Sequence, residues 1–370
     1  MSPASAGPTD RFFLTGFPGF LGSDLLARLL RDRPRARAHC LVLPRHGDLA
    51  REQLGRAPLA AASDRVLLHA GDVTRPDLGL DPEVRSQLTD RVGEVFHLAA
   101  VYDLEVDADT ATRVNRDGTE HVLDFAGDCR RLRRFHHMST CYVSGRRTGT
   151  VREDELDEGQ SFHNPYERSK MEAEALVRER MEGGLPATVH RPSIVVGDSD
   201  TGYTQKYDGP YHVLRWILRQ PRRAVVPVPP GADRTTVNQV PRDYVTRAVT
   251  RLSRSPQAAG ATVHLADPAP PTVSRVVDGL ARAAGRRPVS IPVPPSLLRG
   301  ALEMIPGLRR FTGIPPALAD YFDHPASYAT DRARALLSGS GIEPPRFDDY
   351  VGPMVAFVRD NPEPPAGPLA

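Results

Sequence analysis

Tyr166 and Lys170, four apart in 164-NPYERSK-170, are the pair in this chain best suited to moving a proton. On a helix that spacing stacks them one turn apart on the same face. A tyrosine titrating near ~10 is a poor acid or base at neutral pH, but a neighbouring ammonium stabilises the phenolate and makes proton exchange with a substrate oxygen feasible. The lysine stands out against the composition, because the chain has forty-six arginines and two lysines, Lys170 and Lys206. A compact ammonium serves a tyrosine and a nearby sugar hydroxyl together, where a planar guanidinium fork needs other geometry. A second source of hydroxyls is 134-RFHHMSTCYVSG-145. Either Ser139 or Thr140 can donate to the oxygen that Tyr166 protonates. Cys141 has no assigned base and reads as a small buried residue.

A third constellation is 15-TGFPGFLGSDLLARLL-30, where Gly16, Gly19 and Gly22 fall between a strand and an amphipathic helix. In that context Gly16 makes a tight turn, Gly19 admits a pyrophosphate to the backbone, and Gly22 permits close helix packing. The helix N-terminus then faces the phosphates, so a dinucleotide is expected. The second strand ends 41-LVLPRHGD-48, with Pro44 and Arg45 where a ribose-binding acid would stand. Arg45 can pair with a 2′-phosphate, which favours NADPH over NADH. Asp72 in 71-GDVT-74 either accepts from an adenine amino group or caps its own turn. Ala99 and Ala100, after the fourth strand, either leave room for the cofactor or simply pack closely.

These residues need a scaffold, and the pattern around them supplies one. Short apolar runs at 11-RFFLTG, 38-AHCLVL, 65-RVLLHAGD, 94-EVFHLAA, 134-RFHHMST and 187-ATVHRPS alternate with amphipathic stretches such as 21-LGSDLLARLLRD. Repeated units of this kind predict a parallel sheet, buried on both faces and flanked by helices. Asn164 and Pro165 predict the start of the Tyr166 helix, and Gly183 and Gly184 its end. The alternation stops near residue 198. A helix with Pro241 near its first turn follows at 237-VNQVPRDYVTRAVTRLS, and 262-TVHLAD reads as one more strand of the sheet. The segments 198–234 and 268–360 therefore form a smaller, mainly helical substrate-binding lobe on a dinucleotide-binding domain of 11–197, completed by 235–267. Residues 1–10 and 361–370 read as disordered tails.

Composition removes other classes. With 40% hydrophobic and 25% charged residues the chain is ordinary for a globular protein, and its net charge of +2 with interleaved signs gives no footprint for nucleic acid. No apolar run is long enough to span a bilayer. Cys40, Cys129 and Cys141 match neither a disulfide framework nor a metal site, so reduced thiols in a cytoplasm, with no metal, are expected.

Taken together, TGFPGFLG, DVT, LAA, Asn115 in 114-VNRDGT, 139-STCYVSG, 166-YERSK and 191-RPSIVVGD resemble the extended short-chain dehydrogenase/reductases over most of the first 200 residues. Within that family, VVGDSDTG, DGPY, 240-VPRDYV and the late 329-ATDRARALLSGSGIEPPRFDDYVGPMVAFV are most similar to the fatty acyl-CoA reductase and thioester reductase branch, of the male-sterility NAD-binding type. The resemblance implies an α/β, Rossmann-type doubly wound parallel sheet. It selects Thr140, five places before Gly145, beside Tyr166 and Lys170 as catalytic. It implies cofactor contacts at Gly16, Pro18, Gly19, Phe20, Leu21 and Gly22, at Asp72, Val73, Ala99, Ala100 and Asn115, and at Pro192, Ser193 and Ile194. Substrate contacts are expected at Val101, Tyr142 and Tyr211. Lys206 in TQKYDGPY reads either as an exposed side chain or as a contact for the anionic handle of a CoA- or carrier-protein-bound acyl chain. Arg242 stands where the branch usually has an apolar residue.

The expected activity is hydride transfer from NADPH to a carbonyl, foremost that of an acyl thioester, with either the aldehyde or, after a second hydride, the alcohol as the end product. Alternatives on the same scaffold are a ketone or sterol-type dehydrogenase and a sugar-nucleotide epimerase or dehydratase. A non-catalytic NADPH-binding regulator is a further class, though such proteins usually lose the tyrosine or lysine. Oligomeric state is not legible.

Overall fold

The computed structural model describes residues 10–103, 105–307, 312–316 and 326–365. The expected tails therefore lie outside the described residues except at Asp10 and 361–365. There, Asp10 pairs with Arg33 at 3.3 Å, and the Asn361 carbonyl accepts from the Tyr207 hydroxyl.

Seven strands form one sheet: β1 (Arg11–Thr15), β2 (Arg37–Val42), β3 (Val66–Ala70), β4 (Glu94–His97), β5 (Arg134–Met138), β7 (Ala187–Pro192) and β11 (Ala261–Leu265). Their order is β11-β7-β5-β4-β1-β2-β3, and every pairing is parallel. The sequence order reverses between β1 and β4, whose register sets Thr15 beside His97. At that switch point the carboxyl ends of the strands open a crevice, the usual ligand position in such sheets.

Period-two alternation sends neighbouring residues to opposite layers. Phe12 and Leu14 join a core with Leu25, Leu26 and Leu29 of α1 (Phe20–Asp32) and with Val245 and Val249 of a helix at 242–253. Phe13 packs on the other face with Val122 and Phe125 of the 118–128 helix and Val177 of the 165–182 helix. Two further helices are α2 (Gly47–Leu54), whose Ala50 and Leu54 join the first of these cores, and α3 (Pro82–Arg91), whose Leu88 joins the second. A short α4 (Ala108–Ala111) runs through a π-helical turn (Thr112–Asp117) into α5 (Gly118–Asp128).

Helix α6 (Pro165–Glu182) begins as its sequence dictates. The Asn164 side chain accepts from the Glu167 amide at 3.0 Å, and Pro165 occupies the first helical position. Tyr166, Lys170, Ala173, Glu174 and Val177 form its buried stripe, so the helix turns its chemistry toward the sheet. The later helix starts further along than expected: residues 239–241 form β10 (Gln239–Pro241), and Pro241 caps α8 (Arg242–Ser253) just before its first turn.

The lobe has its own core, where Tyr211, Leu214 and Ile217 of α7 (Pro210–Leu218) meet Val273, Val277 and Leu280 of α9 (Val273–Ala283) and Tyr350 of the last helix, 347–360. It also holds strands that the prolines concealed. β12 (Arg287–Pro292) pairs in parallel with β9 (Arg223–Val228) over six residues. Pro288 and Pro292 are tolerated because this two-stranded ribbon leaves each strand one free edge. Nearby, β13 (Ala326–Tyr328) pairs with β6 (Gly149–Val151), and Ala333 and Leu337 pack on the first domain's core. The remaining short elements are β8 (Ile194–Val196), which pairs with β10, and α10 (Pro295–Met304).

Candidate active site

The glycine loop sits at the switch point, and the backbone there is too close for side chains. Gly16 has φ +89°, and a Cβ on it would lie 2.8 Å from the Leu98 carbonyl carbon. A Cβ on Gly22 would lie 2.3 Å from the Gly16 oxygen, so α1 abuts the loop. Thr15 ties the two strand ends together, its hydroxyl accepting from the amides of Leu98 at 3.2 Å and Ala99 at 3.1 Å. This bare backbone cradle before the α1 N-terminus fits a dinucleotide pyrophosphate.

A cleft of about 650 Å³ runs from this loop to α6. It is walled by Gly16, Gly19, Phe20, Leu21 and Gly22 after β1, by Ala99 and Ala100 after β4, and by Thr140 after β5 with Tyr166 and Lys170 of α6. Pro192, Ser193 and Ile194 extend it past β5, at the end of β7, and Asp72 and Val73 extend it on the other side, after β3. Arg45, after β2, lines it on that same side, its Nε donating to His46 Nε2 at 3.3 Å. Asp72 caps its own turn, accepting from the Thr74 amide and hydroxyl, both at 2.9 Å. Val101, Tyr142 and Lys206 face the same cleft.

Three expected contacts lie elsewhere. Pro18 is not on the cleft wall. Tyr211 is buried in the lobe, its hydroxyl accepting from the Gly197 amide at 2.7 Å. Asn115 sits behind the wall, in the π-helical turn. Its Oδ1 accepts from the Val101 amide at 2.8 Å, and its Nδ2 donates to Ser169 Oγ at 3.0 Å. It thereby fastens the loop after β4 to α6.

Tyr166 and Thr140 line the same cleft, with Thr140 Oγ1 donating to the Pro192 carbonyl at 3.4 Å and accepting from the Tyr142 amide at 3.2 Å. Burial pushes the Tyr166 phenol up, and the neighbouring Thr140 hydroxyl offsets only part of that. The Lys170 ammonium donates to the Met138 carbonyl at 2.6 Å. Burial pushes Lys170 down to about 8, with the Glu174 charge pulling it back up. The phenol is thus held protonated, the state that a proton donor requires.

One turn along α6, Glu174 accepts from Ser139 Oγ at 2.7 Å and from Arg191 Nε and Nη2 at 2.9 and 2.7 Å. Both charged side chains are fully buried. Sequence reading missed this pair; the signal was a glutamate four after Lys170 on the buried stripe. It also missed Tyr102, which meets the Tyr166 ring edge-on at 5.0 Å between centroids. Lys206 covers Tyr102, donating to its carbonyl at 2.8 Å with Asp208 3.8 Å away. Burial raises Asp208 to about 6. Arg242 lies between aromatic rings, 4.9 Å from the Phe20 centroid and 5.0 Å from that of Tyr203. A guanidinium there bridges the glycine-loop helix and the lobe. Cys141 is buried, its thiol pushed up by burial and donating to the Arg191 carbonyl at 3.1 Å. That suits packing, not nucleophilic attack.

Among the described residues no helix is long and apolar enough to cross a membrane. The family model described as male sterility protein, an NAD-binding family, matches residues 14–249. The isonitrile lipopeptide synthase of Streptomyces coeruleorubidus is 31% identical over 291 residues, 75% of this chain and 19% of that protein. The L-2-aminoadipate reductase large subunit of Penicillium chrysogenum is 29% identical over 272 residues, 68% of this chain and 19% of that protein. The solved terminal R domain from the myxalamid PKS-NRPS biosynthetic pathway matches with a TM-score of 0.84 at 26% identity, covering 98% of this chain and 94% of that one. The chain spans only 19% and 34% of two of its curated relatives, the second being the non-canonical nonribosomal peptide synthetase FrzA of Cladobotryum sp.

Proposed function

Because the chain belongs to the male sterility protein family of NAD-binding domains, within the extended short-chain dehydrogenase/reductases, we propose that it is an NADPH-dependent reductase of acyl thioesters. The observation that carries the reading is the single cleft whose walls include both the glycine loop and Thr140, Tyr166 and Lys170. Gly16, Gly19 and the α1 N-terminus hold the pyrophosphate, and Arg45 holds a 2′-phosphate. A nicotinamide dinucleotide in the cleft supplies the hydride. Thr140 and Tyr166 hold the substrate's carbonyl oxygen between two hydroxyls, and Tyr166 gives it a proton as negative charge develops. Lys170, one turn from Tyr166 on α6, would hold the cofactor's sugar hydroxyls and would return a proton to Tyr166.

For a thioester, one hydride on carbon and one proton on oxygen give a hemithioacetal. Its C–S bond then breaks, the thiol leaves with the hydroxyl proton, and an aldehyde remains. A second hydride and proton give the alcohol. Likeness to a terminal R domain of a PKS-NRPS pathway supports a CoA- or carrier-bound acyl group as the form of the substrate.

NADPH consumption should therefore be fastest with acyl-CoA and acyl-pantetheine thioesters and with the matching aldehydes. Turnover of ketones alone would replace this reading with a dehydrogenase. Normal NADPH binding without turnover of any carbonyl would replace it with a regulator. For the cofactor, Arg45→Ala should raise the KM for NADPH about tenfold, the worth of one charge-assisted phosphate contact, and leave that for NADH unchanged. Equal effects on both would remove Arg45 from cofactor choice.

A further inference from the structure

Tyr142 and Ile194 wall the cleft, and they also wall a second chamber on the lobe side, whose described walls enclose about 60 Å³. Val213 of α7, Val276 and Val277 of α9, and Tyr328 of β13 complete it, and all four are buried. Among the described residues no Lys, Arg, Asp or Glu lines it. Of its polar lining side chains, Asn238 and Tyr328 have partners elsewhere, and Thr236 adds one hydroxyl. Asn238 Nδ2 donates to the Asp267 carbonyl at 2.8 Å, and its Oδ1 accepts from the Asp267 amide at 2.9 Å. The Tyr328 hydroxyl lies 3.4 Å from Ser144 Oγ. A chamber with so few polar partners on offer suits apolar groups better than water.

The wall it shares with the cleft is tied to the chemistry. The Tyr142 amide donates to Thr140 Oγ1 at 3.2 Å, so that wall stands two residues from the hydroxyl assigned to the carbonyl oxygen. We infer that this chamber receives the apolar end of the acyl group, and that the chain selects short, uncharged aliphatic acyl thioesters over aromatic or charged ones. The inference rests on the thioester reductase reading. Size disfavours the ring, because the described walls leave about 60 Å³ whereas a dry cavity that admits benzene measures about 150 Å³. Charge is disfavoured because an ionised group here would lose its water and find no counter-charge among the described walls.

The test compares S-acetyl, S-butanoyl, S-phenylacetyl and S-succinyl pantetheine as substrates with NADPH. Butanoyl should exceed phenylacetyl and succinyl in kcat/KM by about tenfold or more, the discrimination that a hydrophobic pocket provides. Val276→Phe, which fills the chamber, should lower butanoyl turnover about tenfold and spare acetyl. Val276→Ala, which enlarges it, should move the butanoyl to phenylacetyl ratio about tenfold toward the ring. Calorimetric binding of S-butanoyl pantetheine to the Tyr166→Phe chain, with and without Val276→Phe, reads the chamber apart from catalysis. Succinyl accepted as well as butanoyl, or Val276 variants that change every acyl group equally, would overturn the inference. If no thioester is turned over, the reductase reading fails, and the calorimetry still decides whether the chamber takes the acyl end.

Discussion

Tyr166→Phe is expected to lower turnover by about 10²–10⁴-fold, the usual worth of a positioned general acid, while dinucleotide affinity is kept. The substitution is conservative for the fold. The Tyr166 ring is buried against Tyr102, and phenylalanine preserves that packing. What disappears is the hydroxyl of a residue that lines the cleft beside Thr140. Single-turnover oxidation of NADPH with a reducible thioester is the measurement, and full turnover by the variant would sink the assignment. A pH profile adds a second reading. Lys170 titrates near about 8, and as an ammonium it is present only below that value. Wild-type turnover should therefore fall as the pH rises through about 8, and Glu174→Gln should move that fall to lower pH, because the glutamate charge is what raises the lysine.

Glu174→Ala is expected to destabilise the folded chain by about 3–5 kcal/mol, the cost of leaving one member of a buried ion pair without its partner. Burial would raise the Glu174 carboxyl, but Arg191, Arg178 and Ser139 outweigh it and hold the group below its ordinary value. With the carboxylate removed, the fully buried Arg191 keeps the Glu155 carbonyl at 2.7 Å and His264 Nε2 at 3.1 Å, and no anion. Urea denaturation at neutral pH measures the loss. A loss under about 1 kcal/mol, typical of an exposed pair, would mean that solvent reaches Arg191. The double substitution Glu174→Leu with Arg191→Met should recover most of the stability, since an apolar pair of similar volume is often neutral in such a place. Turnover should recover less, because Ser139, which precedes Thr140, loses its acceptor in both variants.

Much of the scaffold was legible because its signals are local. The seven strands of the sheet carry apolar runs long enough to be recognised, and their parallel order follows from the helices between them. The caps of α6 are written in Asn164, Pro165 and Gly183. The proline-marked strands β9 and β12 were not legible. A two-stranded parallel ribbon needs few ladder bonds, so prolines that would disrupt a central strand are harmless there. Tyr211 misled for a related reason. An aromatic in a lid-like segment reads as a ligand contact, whereas its hydroxyl satisfies the Gly197 amide inside the lobe.

The sequence alone determined the order of βα units, the glycine turn, and the face of α6 that carries Tyr166 and Lys170, because each depends on neighbours within a few residues. Only the tertiary structure decided where the Lys170 ammonium donates, which partners neutralise Glu174, and how Arg242 lies between Phe20 and Tyr203. Those contacts join segments tens to hundreds of residues apart, and burial sets their strength through the loss of competing water. No spacing along the chain encodes either quantity.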